Sequence, residues 1–567
     1  MTMNFAKGLV YQFLLLVTTW LKCCVEWLRR AFTAVHLWAA HPRIPSADVK
    51  GNSESDLWRS DASMRIYCTE GGAMVTVQTS THAFHVDLRK LSDCSEYFRA
   101  LSQSSMRETS ENLVSLEHIP SAVFRSLLEF TFLQRFLVSE EDLGVHIQMG
   151  SYLLARPFTS RCLSALAGAL NPENCRAYLD FSQEIGCLEM RDTVYDYLSR
   201  NLLELSQLTR GLGANVEKEL VRLRSQGELR LCMLRKESLV SRGPDAAAAH
   251  HLHVLVGSDN DGHWHQEAEL PFTADKWSFT TAVLYNYLYL IGGYRHMTKR
   301  GYQFKMASFR YNPFNHSWVS TAPLIKHRRH FSAAACEGYI FAVGGWYLDS
   351  LVGPDSTTVL YTAVERYDPW ADTWAFVASL PLTDFHFTMS LSHDIPLTAA
   401  LDHCIYVIGT IQRTGETLVL QYNVKKDTWA EMLPTLTRAD AEIPSLYFLG
   451  ATDRLYIIGG NNSENVVTSF CVGSLRWGRV RSAEKMALAG QGTVLGVDIY
   501  MPAVERNAII RMNLHSLSVH ELPPLPLSTS YEALFHLCFK QAPPGDPDAL
   551  DTYPIKRHSL DGGQRPF

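Results

Sequence analysis

The residues of this 567-residue chain best suited to chemistry are its histidines, arginines and carboxylates, and their spacing decides what they could do. His250, His251 and His253, followed by His263 and His265, have the composition of a metal site. Zinc needs ligands at fixed spacing on a rigid frame, whereas these fall in a linker and a short strand. They read as solvated side chains, and no metal or other cofactor is expected. No Gly-x-Ser-x-Gly, phosphate loop, His-Glu-x-x-His or paired Cys/His spacing occurs, and the carboxylates do not cluster. The expectation is therefore no catalytic site and no enzyme. Recognition chemistry remains. Arg328, Arg329 and His330 stand together, Arg438 lies beside Asp440, and Tyr294, Arg295 and Trp346 follow Gly-Gly pairs. Guanidinium groups bind carboxylates bidentately, so this set points to an acidic protein partner.

Composition narrows the classes further. Hydrophobic residues make up 46% and charged residues 19%, the mixture of folded domains. With 52 basic against 58 acidic residues the net charge is −6, which supplies no footprint for nucleic acid. The 12 cysteines are scattered without a Cys-x-x-Cys pair, which suits a reducing, cytoplasmic setting.

A repeat of about fifty residues organises the second half, the period of a propeller blade. YLYLIGGY (287–294), YIFAVGGW (339–346), CIYVIGTI (404–411) and RLYIIGGN (454–461) each lead to a tryptophan. Trp318, Trp374, Trp429 and Trp477 are 56, 55 and 48 residues apart. Each apolar run reads as a buried strand, each Gly pair as a close backbone approach, and each Trp as a wedge between blades. Two weaker units, His253 to Trp264 and Ile509 to Val519, bring the count to six. The lone strand YEALFHLCFK (531–540) is expected to join the first blade and close the ring. Arg328, Arg329 and His330 precede the second of the four open units, and Arg438 and Asp440 the fourth, where loops are held by rigid blades.

These residues resemble kelch repeats, with Gly-Gly, a Tyr-Asp-Pro-like turn and then Trp. Upstream, Ser95, Tyr97, Phe98, Arg99 and Ala100, then Met106-Arg107-Glu108, then Phe124, Leu127, Leu128, Phe130 and Phe132 resemble a BTB (POZ) domain. Two departures, the missing Asp-Val-x-Leu opening and Asp87-Leu88 in place of a His-Arg pair, fall at that family's dimer interface and leave homodimerisation open. Leu170-Asn171-Pro172, with Asn174 and Cys175, resembles the start of a BACK domain, with Asn171 as helix cap. Ser121 reads as another cap. The expected organisation is an apolar or amphipathic helix in 1–40, a linker in 41–62, an α+β BTB/POZ domain in 63–166, and a short α-helical BACK domain in 167–243. An all-β six-bladed kelch propeller in 250–540 and a disordered tail in 541–567 follow.

The resemblance implies a substrate adaptor of cullin-3 ubiquitin ligases. Phe98, Met106, Arg107 and Glu108 would then dock cullin-3, and the propeller loops (Tyr294, Arg295, Arg328, Arg329, His330, Trp346, Arg438 and Asp440) would bind the substrate. The rival is a non-catalytic scaffold whose propeller binds cytoskeletal or membrane-associated proteins. For residues 8–28 three readings stay open: a membrane anchor or interfacial helix, a helix docked on the protein's own body, and an unstructured start.

Overall fold

The computed structural model describes residues 64–67, 73–104, 111–236, 248–257, 261–274, 276–299, 301–347, 362–381, 385–387, 397–411, 417–432, 445–460, 464–528 and 532–540. The chain divides into two compact units between Leu220 and Val221. The segment 8–28 and the tail 541–567 lie outside the described residues. Among the described residues no helix is long and apolar enough to cross a membrane.

The first unit opens with a four-stranded sheet in the order Met64–Tyr67, Ala83–Asp87, Met74–Gln78, Leu113–Ser115. Val75, Val77, Phe84 and Val86 alternate into its core. Helices Glu96–Gln103 and Ser121–Leu133 meet there, the Phe124 ring lying 5.6 Å from Phe84 and 6.3 Å from Phe98. Ser121 is the first residue of its helix rather than the cap. Its hydroxyl instead accepts the amides of Thr81 and His82, at 3.0 and 3.1 Å, and so fastens the hairpin turn of the sheet.

Four helices follow the BTB-like part: Cys175–Glu184, Leu188–Arg200, Ser206–Gly211 and Ala214–Arg224. Asn171 does not cap the first of them. Its side chain accepts the amides of Glu173 and Asn174 in the preceding turn, and the helix starts at Cys175. The helical stretch expected to reach residue 243 ends at Arg224, and Glu228–Arg235 is a strand. Its main partner, Glu532–Phe539, lies almost three hundred residues downstream, while only Cys232 and Met233 pair with the nearer His251–Val256.

That strand belongs to the second unit, where six sheets of at least four strands make the blades of the propeller. Blade one is Glu532–Phe539, Glu228–Arg235, His251–Val256 and His263–Glu269. Blade two is Trp277–Leu284, Tyr287–Thr298, Gly301–Asn312 and Ser317–Thr321. Blade three is Ser332–Cys336, Tyr339–Val343, Val364–Asp368 and Thr373–Val377. Thr398–Leu401, Cys404–Ile411, Thr417–Asn423 and Thr428–Met432 form the body of blade four. Blade five runs from Ser445–Ala451 to Arg476–Trp477, and blade six from Thr493–Leu495 to Val519–Glu521. The expected closure by the carboxy-terminal strand holds, and blade one is a complete four-stranded sheet rather than an abbreviated one.

Apolar clusters glue neighbouring blades. Cys232 and Leu234 pack with Phe279, Leu288 and Leu290 toward blade two, while Leu231 and Met233 pack with Tyr500 and Ile509 toward blade six. One strand thus serves both neighbours, because successive side chains point to opposite faces.

Polar fasteners add to the glue. Trp374 Nε1 donates to Ala322 O at 2.9 Å, and Asp372 Oδ1 accepts the amide of the same Ala322 and the Tyr367 hydroxyl. Blade four repeats the device on Ala378 with Trp429, Asp427 and Tyr422. The Asp-x-Trp of blades three and four therefore grips both backbone groups of one residue in the linker that enters the blade.

The ring closes on a buried ion pair. Arg235 and Glu532, directly opposed in the ladder, meet at 2.9 Å and are 5% and 0% exposed. Removing one partner of such a pair leaves an uncompensated buried charge, at about 3–5 kcal/mol. Glu532→Ala should therefore lower the urea midpoint of the propeller sharply, whereas Arg235→Met combined with Glu532→Leu should recover most of the loss. A double variant no more stable than the single one would refute this account.

Two histidines set a pH dependence. His253, expected to be solvated, is 1% exposed, and burial, with His251 and His265 nearby, pulls its pKa from 6.5 down to about 4. Burial does the same to His536. The unfolded chain takes up these protons first, so stability is complete above about pH 6.5 and is lost as pH falls toward 4. Urea midpoints measured across that range should fall with pH, and His253→Leu should flatten the slope.

Candidate functional site

The loops at one end of blades two and three gather most of the sequence-predicted recognition residues that are described. The register Trp277↔Tyr294 sets the start of the first strand of blade two beside residue 294, and Ser308↔Thr321 brings the exit of its fourth strand to the same end. Tyr294 and Arg295 lie where the long hairpin leaves the blade. Tyr294 is half-buried and stacks on Phe272 at 5.2 Å, and Arg295 is half-exposed.

The Gly-Gly pairs do different work in the two blades. At Gly292 a Cβ would lie 2.2 Å from Ser278 O, and at Gly293 one would lie 2.4 Å from Lys305 O. Both glycines therefore let three strands run closely side by side. In blade three Gly344 and Gly345 take φ of 71° and 94°, a left-handed turn that few other residues adopt. The turn sends Trp346 back against the linker, where the short ladder Arg328↔Tyr347 and Arg329↔Trp346 forms. Arg329 and Trp346, far apart in sequence, thus come together.

Arg328 is not a binding residue. It is 1% exposed and donates to Glu365 Oε1 at 2.6 Å and to the carbonyls of Gly344 and Ala363 at 2.9 Å. Glu365, fully buried, also accepts the amides of Ile325 and Lys326. This pair pins the linker and the Gly-Gly turn to the blade, positioning the loop instead of contacting a partner. Two residues on, His330 takes a left-handed φ of 52° and is half-buried. Arg438 and Asp440 lie outside the described residues.

In the first unit, Phe98 cannot contact a partner either. It is completely buried, ring to ring with Tyr97 at 5.1 Å and Phe124 at 6.3 Å. Met106, Arg107 and Glu108 lie outside the described residues, directly after the helix Glu96–Gln103, which Ser104 ends. Sequence reasoning overlooked Arg224. Buried, it donates to Tyr285 O at 2.7 Å and to the Asn312 side chain at 3.0 Å, over the Tyr287 ring. Among the described residues no group of histidines, cysteines and carboxylates could hold a metal ion, and the nine described cysteines are free thiols.

Against known proteins, a BTB/POZ domain model matches residues 73–169 and a Kelch motif model matches residues 327–381. Kelch repeat and BTB domain-containing protein 13 of Homo sapiens is 24% identical over 402 residues, 69% of this chain and 78% of that protein. The chain thus carries a BTB/POZ domain followed by a Kelch motif. Kelch domain-containing protein 7A of Mus musculus is 28% identical over 290 residues, 50% of this chain and 33% of that protein. Kelch-like protein 36 of Bos taurus is 25% identical over 256 residues, 45% of this chain and 35% of that protein. The matches thus span about a third of two of these three relatives.

Buried and exposed cations of this linker separate experimentally. Arg328→Ala orphans the Glu365 carboxylate and should cost about 3–5 kcal/mol in urea unfolding of the propeller. Lys326→Ala, two residues away and exposed, should leave the midpoint unchanged. Equal midpoints for the two variants would show that the buried pair fastens nothing.

Proposed function

We propose that this BTB–kelch protein recruits a substrate to a cullin-3 ubiquitin ligase, its BTB and adjoining helical region docking the cullin and its propeller holding the substrate. The observation that carries the reading is the joining in one chain of a BTB/POZ match at 73–169 to a six-bladed propeller whose loops bring Arg329 beside Trp346. On this reading the chain catalyses nothing. It raises the local concentration of the substrate beside the ligase's catalytic partners.

Met106, Arg107 and Glu108 are the residues proposed to meet the cullin. An apolar anchor flanked by a charge is the usual form of an interface hot spot, where truncation costs about 2 kcal/mol or more. The helix before them turns Phe98 and Leu101 into the core, so the contact falls to the segment that follows. Purified cullin-3 should capture the wild-type protein, and Met106→Ala with Glu108→Ala should weaken capture by at least about tenfold. The unfolding midpoint of the propeller should not change. No capture of the wild type would defeat the adaptor reading and leave the scaffold.

A further inference from the structure

Residues 276–336 contain nine lysines and arginines and neither aspartate nor glutamate, in a chain whose net charge is −6. Folding sorts these cations. Arg310 is buried over the Tyr287 ring at 4.9 Å, and Arg328 is neutralised by Glu365. Lys276, Lys299, Lys305 and Lys326 remain exposed, with Arg295 half-exposed. The strand register gathers them at one end of blade two: Lys276 at the entry of its first strand, Arg295, Lys299 and Lys305 on the hairpin, and Lys326 on the exit linker. Glu337, the acidic residue that ends the stretch, lies in the turn Cys336↔Tyr339 at the other end of blade three, where it pairs with His403 and Lys425.

The hairpin is also unusually long. Its first strand, Tyr287–Thr298, has 12 residues, against 5 to 8 in the corresponding strands of blades three to six. The excess of at least four residues projects it by roughly 14 Å at ~3.4 Å per residue. Along it the pairs Tyr294↔Lys305 and Arg295↔Phe304 place a cation beside a ring, and Met297 is 70% exposed. Charges alone would blunt the hairpin's edges against aggregation. An exposed Met among them works against that end, and apolar anchors with exposed cations are what a charge-complementary interface requires.

We propose that this sector of blade two docks an acidic polypeptide segment. The proposal deepens the adaptor reading, on which the segment belongs to the recruited protein. A short acidic segment spans the cation row, whereas a long polyanion such as nucleic acid would meet the net negative charge of the rest of the chain.

Fluorescence anisotropy on the full chain tests this with a labelled peptide rich in Asp and Glu, its Asn/Gln counterpart, and single-stranded DNA of equal charge. The acidic peptide should bind, the neutral one should not, and affinity should fall with added salt. Lys299→Glu, Lys305→Glu and Lys326→Glu together should weaken binding by at least about tenfold at an unchanged unfolding midpoint. Lys425→Glu with Lys426→Glu, in blade four, should not weaken it. Equal binding by the hairpin variant, or DNA binding as tightly as the peptide, would overturn the proposal. Cullin-3 capture is a separate readout, so the adaptor reading and the docking surface can fail independently.

Discussion

The pairing of Glu532–Phe539 with Glu228–Arg235 is the constraint on which the second unit depends, because a ring of sheets has no stable edge until its ends meet. Both neighbouring blades hold the closing strand. Asn286 in blade two clasps the backbone of Cys538 with both side-chain amide atoms, at 2.9 and 2.7 Å. On the side of blade six, Gln491 donates its amide to Glu532 O and accepts that of Leu534, each at 2.8 Å. The Arg235–Glu532 pair lies inside this frame, where register errors would strand two charges in an apolar interface. Such a pair contributes little net stability, yet it penalises every other alignment of the strand.

The same economy of backbone capture runs around the ring. An Asp-x-Trp pair grips the linker ahead of blades three and four, and where the aspartate is lost the fastening changes. Blade two has His316 at that position, meeting Glu267 of blade one at 2.5 Å, and blade five has Leu475. In both, the Trp318 and Trp477 indole nitrogens lack a hydrogen-bond partner among the described residues. The tryptophans that mark the repeat are therefore fasteners as well as wedges, and the degraded blades keep only the wedge.

Burial divides the charged residues between frame and surface. Arg224, Arg235, Arg310 and Arg328 are buried, and each meets a carbonyl, a carboxylate or an aromatic face. A planar guanidinium suits such sites because it satisfies several acceptors at once. The exposed cations of blade two are mainly lysines, whose strongly hydrated heads stay in water. Loops on a frame this tightly fastened can vary without disturbing it, which is how one propeller scaffold serves different partners.

The sequence by itself determined the repeat, the six blades, the closing strand and the α+β domain ahead of them, because strand periodicity, Gly-Gly turns and recurring tryptophans are local patterns. Tertiary structure alone decided which of the candidate side chains are buried in the frame. Arg328 and Lys326 look alike in sequence, but Arg328 meets a carboxylate 37 residues away, and only the fold brings that carboxylate to it. Phe98 reads as part of an interface motif until burial against Tyr97 and Phe124 takes it out of reach. The strand Glu228–Arg235 stayed hidden for the same reason: the strand that pairs with its whole length lies far off, Glu532 standing 297 positions from Arg235. A short apolar run becomes strand or helix according to what packs beside it, and that neighbour is not written locally.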